Sequence, residues 1–374
     1  MHCEKRFCWV IGLFLMVSAL SCAPQFDRYG LDGVSFVLKK PIPPPKKRST
    51  REPIDCSGRL FVKVPNDGED TFQTANHEME FEGKTYPLRL QVSTYLYRAT
   101  LATLEQCTFS TSDGLVSYYR KIIEQPAMRS FYESMLTPLR EIRNKEGFDD
   151  SAYARLIIRF VQSFAYCEQF TGNPKPPVAT VVEGCGDCDE KSALLAGLLA
   201  AEGFDVCLLL FQNHMAVGLG TDEDGFQRTD YLYVESTAVT RPGLSDGLVS
   251  MDLAVDPVSI GEGTKKFFRS DAGKRIDDLY EQALVGLNEY RADISEASAV
   301  RFSGIEVLLE DVEAAKKSVQ HNTAELSYDE KMYLVYASAL IYCTYSPDSE
   351  QDMVEWLENY LAWTAKFENS EAEK

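Results

Sequence analysis

Three side chains from separate stretches of the chain have the chemical types that a cysteine hydrolase needs. Cys188 precedes a leucine-rich run, His214 opens a later apolar segment, and Glu235 ends another. In such a set the thiolate attacks an amide or ester carbonyl and the imidazole takes and returns the proton. The acid orients the imidazole and stabilises its charged form. The residue types therefore predict a Cys188-His214-Glu235 triad that works through a thioester acyl-enzyme.

Cys188 is predicted to lie at the start of a buried helix. Leucines between positions 194 and 199 recur at the spacing of one helical face, and Gly203 lies where a helix would stop. The first helical turn has backbone N–H groups without intrahelical partners and a partial positive charge, and both favour a thiolate. Asp189 and Glu190 oppose that effect. Activation of the sulfur therefore needs a histidine, and His214 is the only one close downstream.

The histidine and the acid are predicted on neighbouring strands. The apolar run 206–211 and the segment 214–219 have the lengths of two strands of a hairpin, with His214 opening the second. A third strand over 231–235 would place Tyr231, Tyr233 and Glu235 on one face, because side chains alternate along a strand. These elements can bring the three predicted catalytic side chains together.

The segment from about Leu156 to Thr237 resembles the transglutaminase-like superfamily of papain-type cysteine enzymes. The resemblance is carried by Phe160-Val161-Gln162-Ser163 with Tyr166, by Gly186-Asp187-Cys188-Asp189-Glu190-Lys191-Ser192 with Gly203, by Asn213-His214-Met215-Ala216-Val217-Gly218, and by Val234-Glu235-Ser236-Thr237. It implies that Cys188 is the nucleophile, His214 its base, and Glu235 the acid that orients the histidine. Glu235 replaces the aspartate of the best-known members, which lengthens the reach of the carboxylate and keeps its chemistry.

A developing oxyanion needs two hydrogen-bond donors. The backbone N–H of Cys188 is the natural first donor. The second would come from a group upstream of the nucleophile, for which Gln162 and Tyr166 are the candidates. The sequence does not decide between them.

The spacing of Cys185 and Cys188 also fits a redox pair or half of a zinc site. Zinc is disfavoured because no second Cys-x-x-Cys and no paired histidine follow, so we predict no metal and no cofactor. A dithiol oxidoreductase stays open as an alternative, although such a pair normally follows a strand directly and Pro176-Pro177 and a loop precede it here. A related possibility is redox control of the hydrolase, in which a Cys185–Cys188 disulfide would inactivate the enzyme by consuming the thiol of its nucleophile.

Composition and charge exclude one class of partner. Of the 374 residues 45% are hydrophobic and 25% charged, which is ordinary for a globular protein. The formal net charge of −19 makes nucleic-acid binding improbable, because an acidic surface repels the phosphate backbone.

The N-terminus has the features of a targeting segment. Lys5 and Arg6 precede a short apolar run that ends in Ala19-Leu20-Ser21-Cys22, which resembles a lipoprotein signal box with Cys22 as the lipidated residue. Simple secretion and an uncleaved anchor are the alternatives. Each predicts an extracytoplasmic location, and the first predicts attachment to the membrane through a lipid.

Cysteine usage fits that compartment. Without Cys3, Cys8 and Cys22, seven of the ten cysteines remain. An odd number outside the cytoplasm predicts three disulfides and one free thiol, for which Cys188 is the candidate. Cys56 with Cys107 and Cys167 with Cys185 are conceivable pairs, which sequence alone does not fix.

We predict an α+β protein with a transglutaminase-like (papain-type) core, a small β-rich N-terminal module and a helical C-terminal region. The predicted divisions are a signal peptide (1–21), a proline-rich tether (22–55), the β-rich module (56–111), the catalytic domain (112–265) and the helical domain (266–374). The module carries strand-like patterns from Arg59 to Ala102, and His77 within it is predicted to lie at the surface.

The most favoured function is a peptidase or amidase acting on a protein, a peptide or a cell-envelope amide. A lysine amine in place of water would make it a cross-linking transglutaminase. Two alternatives remain from other classes: a non-catalytic module that binds a peptide or an envelope partner in the same cleft, and the dithiol oxidoreductase.

Overall fold

The structure is a computed structural model. It describes residues 54–55, 72–104, 107–108, 112–167, 174–211, 214–244, 253, 256–291, 327–346 and 348–372. The predicted signal peptide, Cys22, almost all of the tether, Cys56 and residues 292–326 of the predicted helical domain lie outside these ranges.

Helices and short sheets alternate along the described chain. The helices are α1 (Thr94–Leu104), α2 (Ser112–Glu124), α3 (Met128–Glu146), α4 (Asp150–Gln162), α5 (Pro177–Glu183), α6 (Cys188–Ala201), α7 (Asp271–Arg291), α8 (Tyr328–Tyr345) and α9 (Glu350–Ala372). The strands are β1 (Ile54–Asp55), β2 (Phe72–Phe81), β3 (Lys84–Ser93), β4 (Cys107–Thr108), β5 (Ala165–Tyr166), β6 (Cys185–Gly186), β7 (Val206–Leu210), β8 (Met215–Gly220), β9 (Tyr231–Val234) and β10 (Val258–Ile260). The fold is therefore mixed α+β.

The described residues divide into two compact units. The first holds those up to Phe81 and from Thr85 to Phe268, and the second holds those from Arg269 onward together with the turn Glu82–Lys84. Each unit has its own hydrophobic core. All the predicted catalytic residues belong to the first unit.

Strands β2 and β3 form a two-stranded sheet in the first unit. Buried and exposed residues alternate along both strands, so one face is apolar and packs into the same core as the helices that follow. The predicted strand pattern up to Ala102 is wrong beyond Ser93, because Thr94–Leu104 forms α1. Thr100 is buried there, and its hydroxyl donates to the carbonyls of Leu96 and Tyr97 within the helix.

His77 on β2 is buried, so its predicted surface position is wrong. Its ring stacks on Phe164 at 4.6 Å between centroids and meets Phe160 edge-on. The ring Nε2 lies 2.7 Å from the Ser163 hydroxyl, which itself donates to the Phe160 carbonyl. The hydroxyl therefore accepts from Nε2, and burial lowers the pKa of His77 to about 4.

Helix α6 is the centre of the first unit. It is buried on every side from Glu190 to Leu199 and packs against α3, α4, α5 and the sheet. Gly197 allows the close approach of α3, since a Cβ at this position would lie 2.3 Å from the Tyr132 hydroxyl oxygen. The chain then leaves the helix through Gly203, which has a positive φ of 81°.

The main sheet has the strand order β10-β7-β8-β9, and each pair with a described register is antiparallel. This confirms the three predicted strands, while β10 on the far edge was not foreseen. One face packs on α6. The other carries a small cluster of Cys207, Leu209, Phe211, Ala216 and Tyr233, with Phe226 against it.

The approach to α6 is more ordered than the predicted irregular loop. Pro177–Glu183 forms α5, with Pro177 in its first turn and Gly184 after it at a φ of 73°. The helix buries three valines in the core of the unit. Strand β6 then pairs with β5 in parallel, which places Tyr166 opposite Gly186 just before α6.

The second unit is helical, as the sequence pattern indicates. Helices α7, α8 and α9 pack together, and an aromatic stack lies in their core. The ring of Trp356 stacks on Tyr342 at 4.1 Å and on Tyr360 at 4.7 Å. Among the described residues, none of the helices combines the length and the apolar composition that a membrane span requires.

Candidate active site

Cys188 is the first residue of α6, as predicted. The Asp187 side chain caps the helix by accepting the backbone N–H groups of Asp189 and Glu190 at 3.1 and 3.2 Å. Cys188 is half-buried and carries a free thiol. The cap fixes the backbone of the first turn and therefore the position of the Cys188 Cα.

The sulfur donates a hydrogen bond to Asp189 Oδ1 at 3.5 Å. Burial raises the pKa of the Cys188 thiol and the negative charge of Asp189 raises it further, whereas the backbone N–H of Met215, the residue that follows His214, lowers it. The thiol is therefore protonated at neutral pH and needs a base to become a nucleophile.

His214 and Glu235 are in direct contact. The imidazole Nε2 lies 3.0 Å from Glu235 Oε2 and 3.2 Å from the Tyr233 hydroxyl oxygen. That hydroxyl donates its own proton to Glu235 Oε2 at 2.7 Å. Both neighbours are therefore acceptors toward the ring, so Nε2 carries the hydrogen and the lone pair of the neutral imidazole is on Nδ1.

The Glu235 carboxylate is buried and fully hydrogen-bonded. Its Oε1 accepts the backbone N–H groups of Ser236 and Thr237 at 2.9 and 2.8 Å and the Thr237 hydroxyl at 2.6 Å. Burial raises the pKa of this carboxyl, but the bonds from His214 and Thr237 outweigh that effect and lower the pKa to about 2. Glu235 is therefore an anion that can orient His214 and stabilise its protonated form.

Buried polar side chains hold the turn that carries Glu235. Gln162 donates to the carbonyls of Glu235 and Thr240, both at 2.9 Å. The Ser192 hydroxyl donates to the Met215 carbonyl at 3.0 Å and lies 2.9 Å from the Ser236 hydroxyl. These bonds tie α4, α6 and β8 to the turn after β9.

Lys191 is the least expected member of this framework. It is fully buried, and its Nζ donates to the carbonyls of Phe164, Gln162 and Thr237 at 2.7, 3.3 and 3.4 Å. Burial lowers its pKa to about 7, and the charge of Glu235 opposes that shift. The sequence contains a signal for this role, since Lys191 lies in a leucine-rich helix that is predicted to be buried. A buried cation needs several hydrogen-bond acceptors around it.

The two candidates for the second oxyanion donor differ in their surroundings. The Gln162 amide already donates to two carbonyls, so the structure gives it a positioning role instead. Tyr166 on β5 is 44% exposed, opposite Gly186. Of the two, Tyr166 is the one that solvent and a substrate can reach.

The cysteine pattern was predicted only in part. Cys167 and Cys185 form a disulfide, as considered above, and Cys188 is free. Cys207 and Cys343 are free and buried as well, so the prediction of three disulfides and one free thiol is wrong. Both lie in apolar cores, where a thiol packs as a small hydrophobic group.

The disulfide also bears on the redox alternative. A dithiol oxidoreductase needs Cys185 and Cys188 as partners, but Cys185 is bonded to Cys167 across the β5–β6 pair. The Cys185–Cys188 bond considered as an off-switch is not formed. Within the described residues no group of His, Cys, Asp and Glu side chains is arranged to hold a metal ion.

Two residues next to the sulfur were not predicted as part of the site. Tyr119 on α2 donates its hydroxyl to Asp189 Oδ2 at 2.5 Å, and Asp189 Oδ1 accepts from Cys188. Tyr119 belongs to an apolar stripe in the sequence and is 1% exposed, so its hydroxyl could be assigned only from the structure.

Comparisons of the chain with protein-family models, with curated proteins and with solved structures found no match.

Proposed function

We propose that this protein is a cysteine hydrolase of the transglutaminase-like class that cleaves an amide bond through a thioester acyl-enzyme. The observation that supports this most is the hydrogen bond of His214 Nε2 to the buried Glu235 anion, which leaves Nδ1 as the basic nitrogen. The backbone N–H of Met215, the residue after His214, lowers the pKa of the Cys188 thiol, which supports a role for this segment beside the sulfur. The order of a capped helix followed by antiparallel strands also agrees with a papain-type core.

The reaction starts with transfer of the Cys188 thiol proton to Nδ1 of His214 as the sulfur attacks the substrate carbonyl carbon. The resulting imidazolium faces Glu235, which stabilises the positive charge. Collapse of the tetrahedral intermediate breaks the C–N bond, and His214 returns the proton to the leaving amine. Water, deprotonated by His214, then attacks the thioester and releases the acid and the thiol.

Water as the acyl acceptor makes the protein a peptidase or amidase, and this is the reaction we favour. A lysine amine as the acceptor would give a transamidation product with the same first half-reaction. A protein, a peptide or a cell-envelope amide is the proposed substrate. The lipid anchor at Cys22 and the extracytoplasmic location remain proposals from the sequence.

The role of His214 is tested by labelling with iodoacetamide and mapping of the modified peptides. Among the described free cysteines only Cys188 is not buried, so native protein should be alkylated there and not at Cys207 or Cys343. We expect His214→Ala to slow alkylation of Cys188 at least about tenfold at neutral pH, because the base is gone. The same electrophile gives no label at this position in Cys188→Ser.

Turnover is tested with libraries of peptides and cell-wall amides, with free lysine added in a parallel set. Cleavage that depends on Cys188 and His214 supports the hydrolase, and a lysine adduct supports transamidation. Equal alkylation of Cys188 in the wild type and in His214→Ala would contradict the proposal. Binding of a peptide without any covalent intermediate would favour the non-catalytic module instead.

A further inference from the structure

Asp189 has an arrangement that the triad does not explain. Its carboxylate bridges two donors: Oδ1 accepts from the Cys188 thiol at 3.5 Å and Oδ2 accepts from the Tyr119 hydroxyl at 2.5 Å. Asp189 is not in the predicted triad, and its charge opposes formation of a thiolate beside it. An acid in contact with a nucleophilic sulfur therefore makes the thiolate harder to form, and the triad alone gives no reason for its presence.

We propose that Asp189 is a positioning residue that restrains the nucleophile. Its carboxylate, held by Tyr119, accepts the hydrogen bond of the Cys188 thiol and keeps the sulfur protonated until a substrate replaces the thiol as the donor to Asp189. This inference rests on the proposed role of Cys188 as the nucleophile. It adds a resting state in which the thiol proton is directed to Asp189 and not to His214.

Tyr119 holds the Asp189 carboxylate in the orientation that the restraint requires. Its side chain is buried on α2, so the hydroxyl cannot follow a moving partner and holds Asp189 in one orientation. Burial raises the pKa of Tyr119, and the charge of Asp189 raises it further, so the hydroxyl keeps its proton and stays a donor. A carboxylate that solvent alone surrounded would rotate away from the sulfur.

Other charges near the sulfur act less directly. Asp187 also raises the pKa of the thiol, but its carboxylate is engaged in capping α6. Glu190 points elsewhere, since its Oε1 accepts the backbone N–H of Lys175 at 3.2 Å. His214, before β8, is the group proposed to receive the proton once the bond to Asp189 is broken. Asp189 is thus the carboxylate that can set the resting state.

A substrate can release the restraint by supplying a donor of its own. An amide N–H next to the scissile carbonyl would satisfy Asp189 Oδ1 and free the thiol proton for Nδ1 of His214. The arrangement therefore limits reaction of the sulfur with adventitious electrophiles and favours substrates with a donor close to the attacked carbon.

The test is the pH dependence of Cys188 alkylation by iodoacetamide in the full-length protein, measured as the midpoint of the rate profile. Asp189→Asn should lower this midpoint by at least about one pH unit, and should speed alkylation below the midpoint about tenfold, because the neighbouring negative charge is removed. Glu190→Gln is the matched comparison: it removes the adjacent acid, whose Oε1 accepts from the Lys175 backbone, and should shift the midpoint less than Asp189→Asn does. Circular dichroism checks that each variant is folded.

Tyr119→Phe tests whether the hydroxyl acts through Asp189. The substitution should lower the midpoint when Asp189 is present, because the carboxylate is no longer held against the sulfur. It should leave the midpoint unchanged in the Asp189→Asn background. An unchanged midpoint in Asp189→Asn, or an equal shift in Glu190→Gln, would overturn the restraint. The alkylation midpoint is measured without any turnover. If Asp189→Asn shifts this midpoint while the substrate libraries show no amidase activity, the proposed function is contradicted and the restraint by Asp189 is still supported.

Discussion

At the scale of single residues, the chemistry of the site depends on which nitrogen of His214 carries the proton. Glu235 and Tyr233 both present acceptors to Nε2, so the buried pair fixes one tautomer. A carboxamide at position 235 can turn its N–H₂ group toward the ring. The ring would then carry its proton on Nδ1 and could not receive one from the thiol.

We therefore expect Glu235→Gln to lower the rate of acylation at least about a hundredfold, since removal of an orienting acid can cost about 10⁴ in a comparable triad. The measurement is single-turnover acylation with an activated ester. Glu235→Asp should retain more activity than Glu235→Gln because the charge is kept. Asp224→Asn, which removes an exposed acid from the loop before β9, serves as the control and should behave like the wild type. A Glu235→Gln protein with wild-type rates would exclude the orienting role.

At the scale of elements, the β2–β3 hairpin belongs to the core of the first unit and is not a separate layer. His77 shows this most directly, because its ring packs on two phenylalanines of α4 and the segment after it. The folded protein binds a proton at His77 only near pH 4, whereas the unfolded chain binds one near pH 6.5. Folding is therefore disfavoured as pH falls from about 6.5 to about 4.

The prediction is that His77→Phe removes part of the acid sensitivity of the fold. Between pH 7 and pH 5 the wild type should lose about 2 kcal/mol of unfolding free energy from this group alone, and the variant should lose correspondingly less. Urea unfolding at the two pH values measures the difference. Asn76→Ala, at the exposed neighbouring position, should keep the pH dependence of the wild type. Identical pH dependence in His77→Phe and the wild type would show that this histidine is not buried.

Sequence and structure agree best where periodicity is strong. The three adjacent strands β7, β8 and β9 were predicted, and so were the start of α6 at Cys188 and the helical character of the second unit. The burial of His77, the helix α5 and the Asp189–Tyr119 contact were not. Each depends on which distant element covers a short or polar segment, and local pattern does not carry that information.

At the scale of the whole molecule, the two units differ in what they can do. The proposed nucleophile, base and acid lie in the first unit, whereas the described residues of the second unit form an aromatic-rich helical core that includes the buried thiol of Cys343. The net charge of −19 for the whole chain disfavours nucleic acid as a partner of the protein. Catalysis is therefore expected to be a property of the first unit, and the amide substrate must reach the start of α6.

The central claim is that Cys188 forms a thioester with the help of His214. It is tested most directly by incubating the protein with p-nitrophenyl acetate and locating the acetyl group by mass spectrometry. We predict one acetyl group on Cys188, removed by hydroxylamine, absent in Cys188→Ser and formed at least about tenfold more slowly in His214→Ala. Acetylation of Cys188 at the same rate with and without His214, or acetylation only at other residues, would contradict the account.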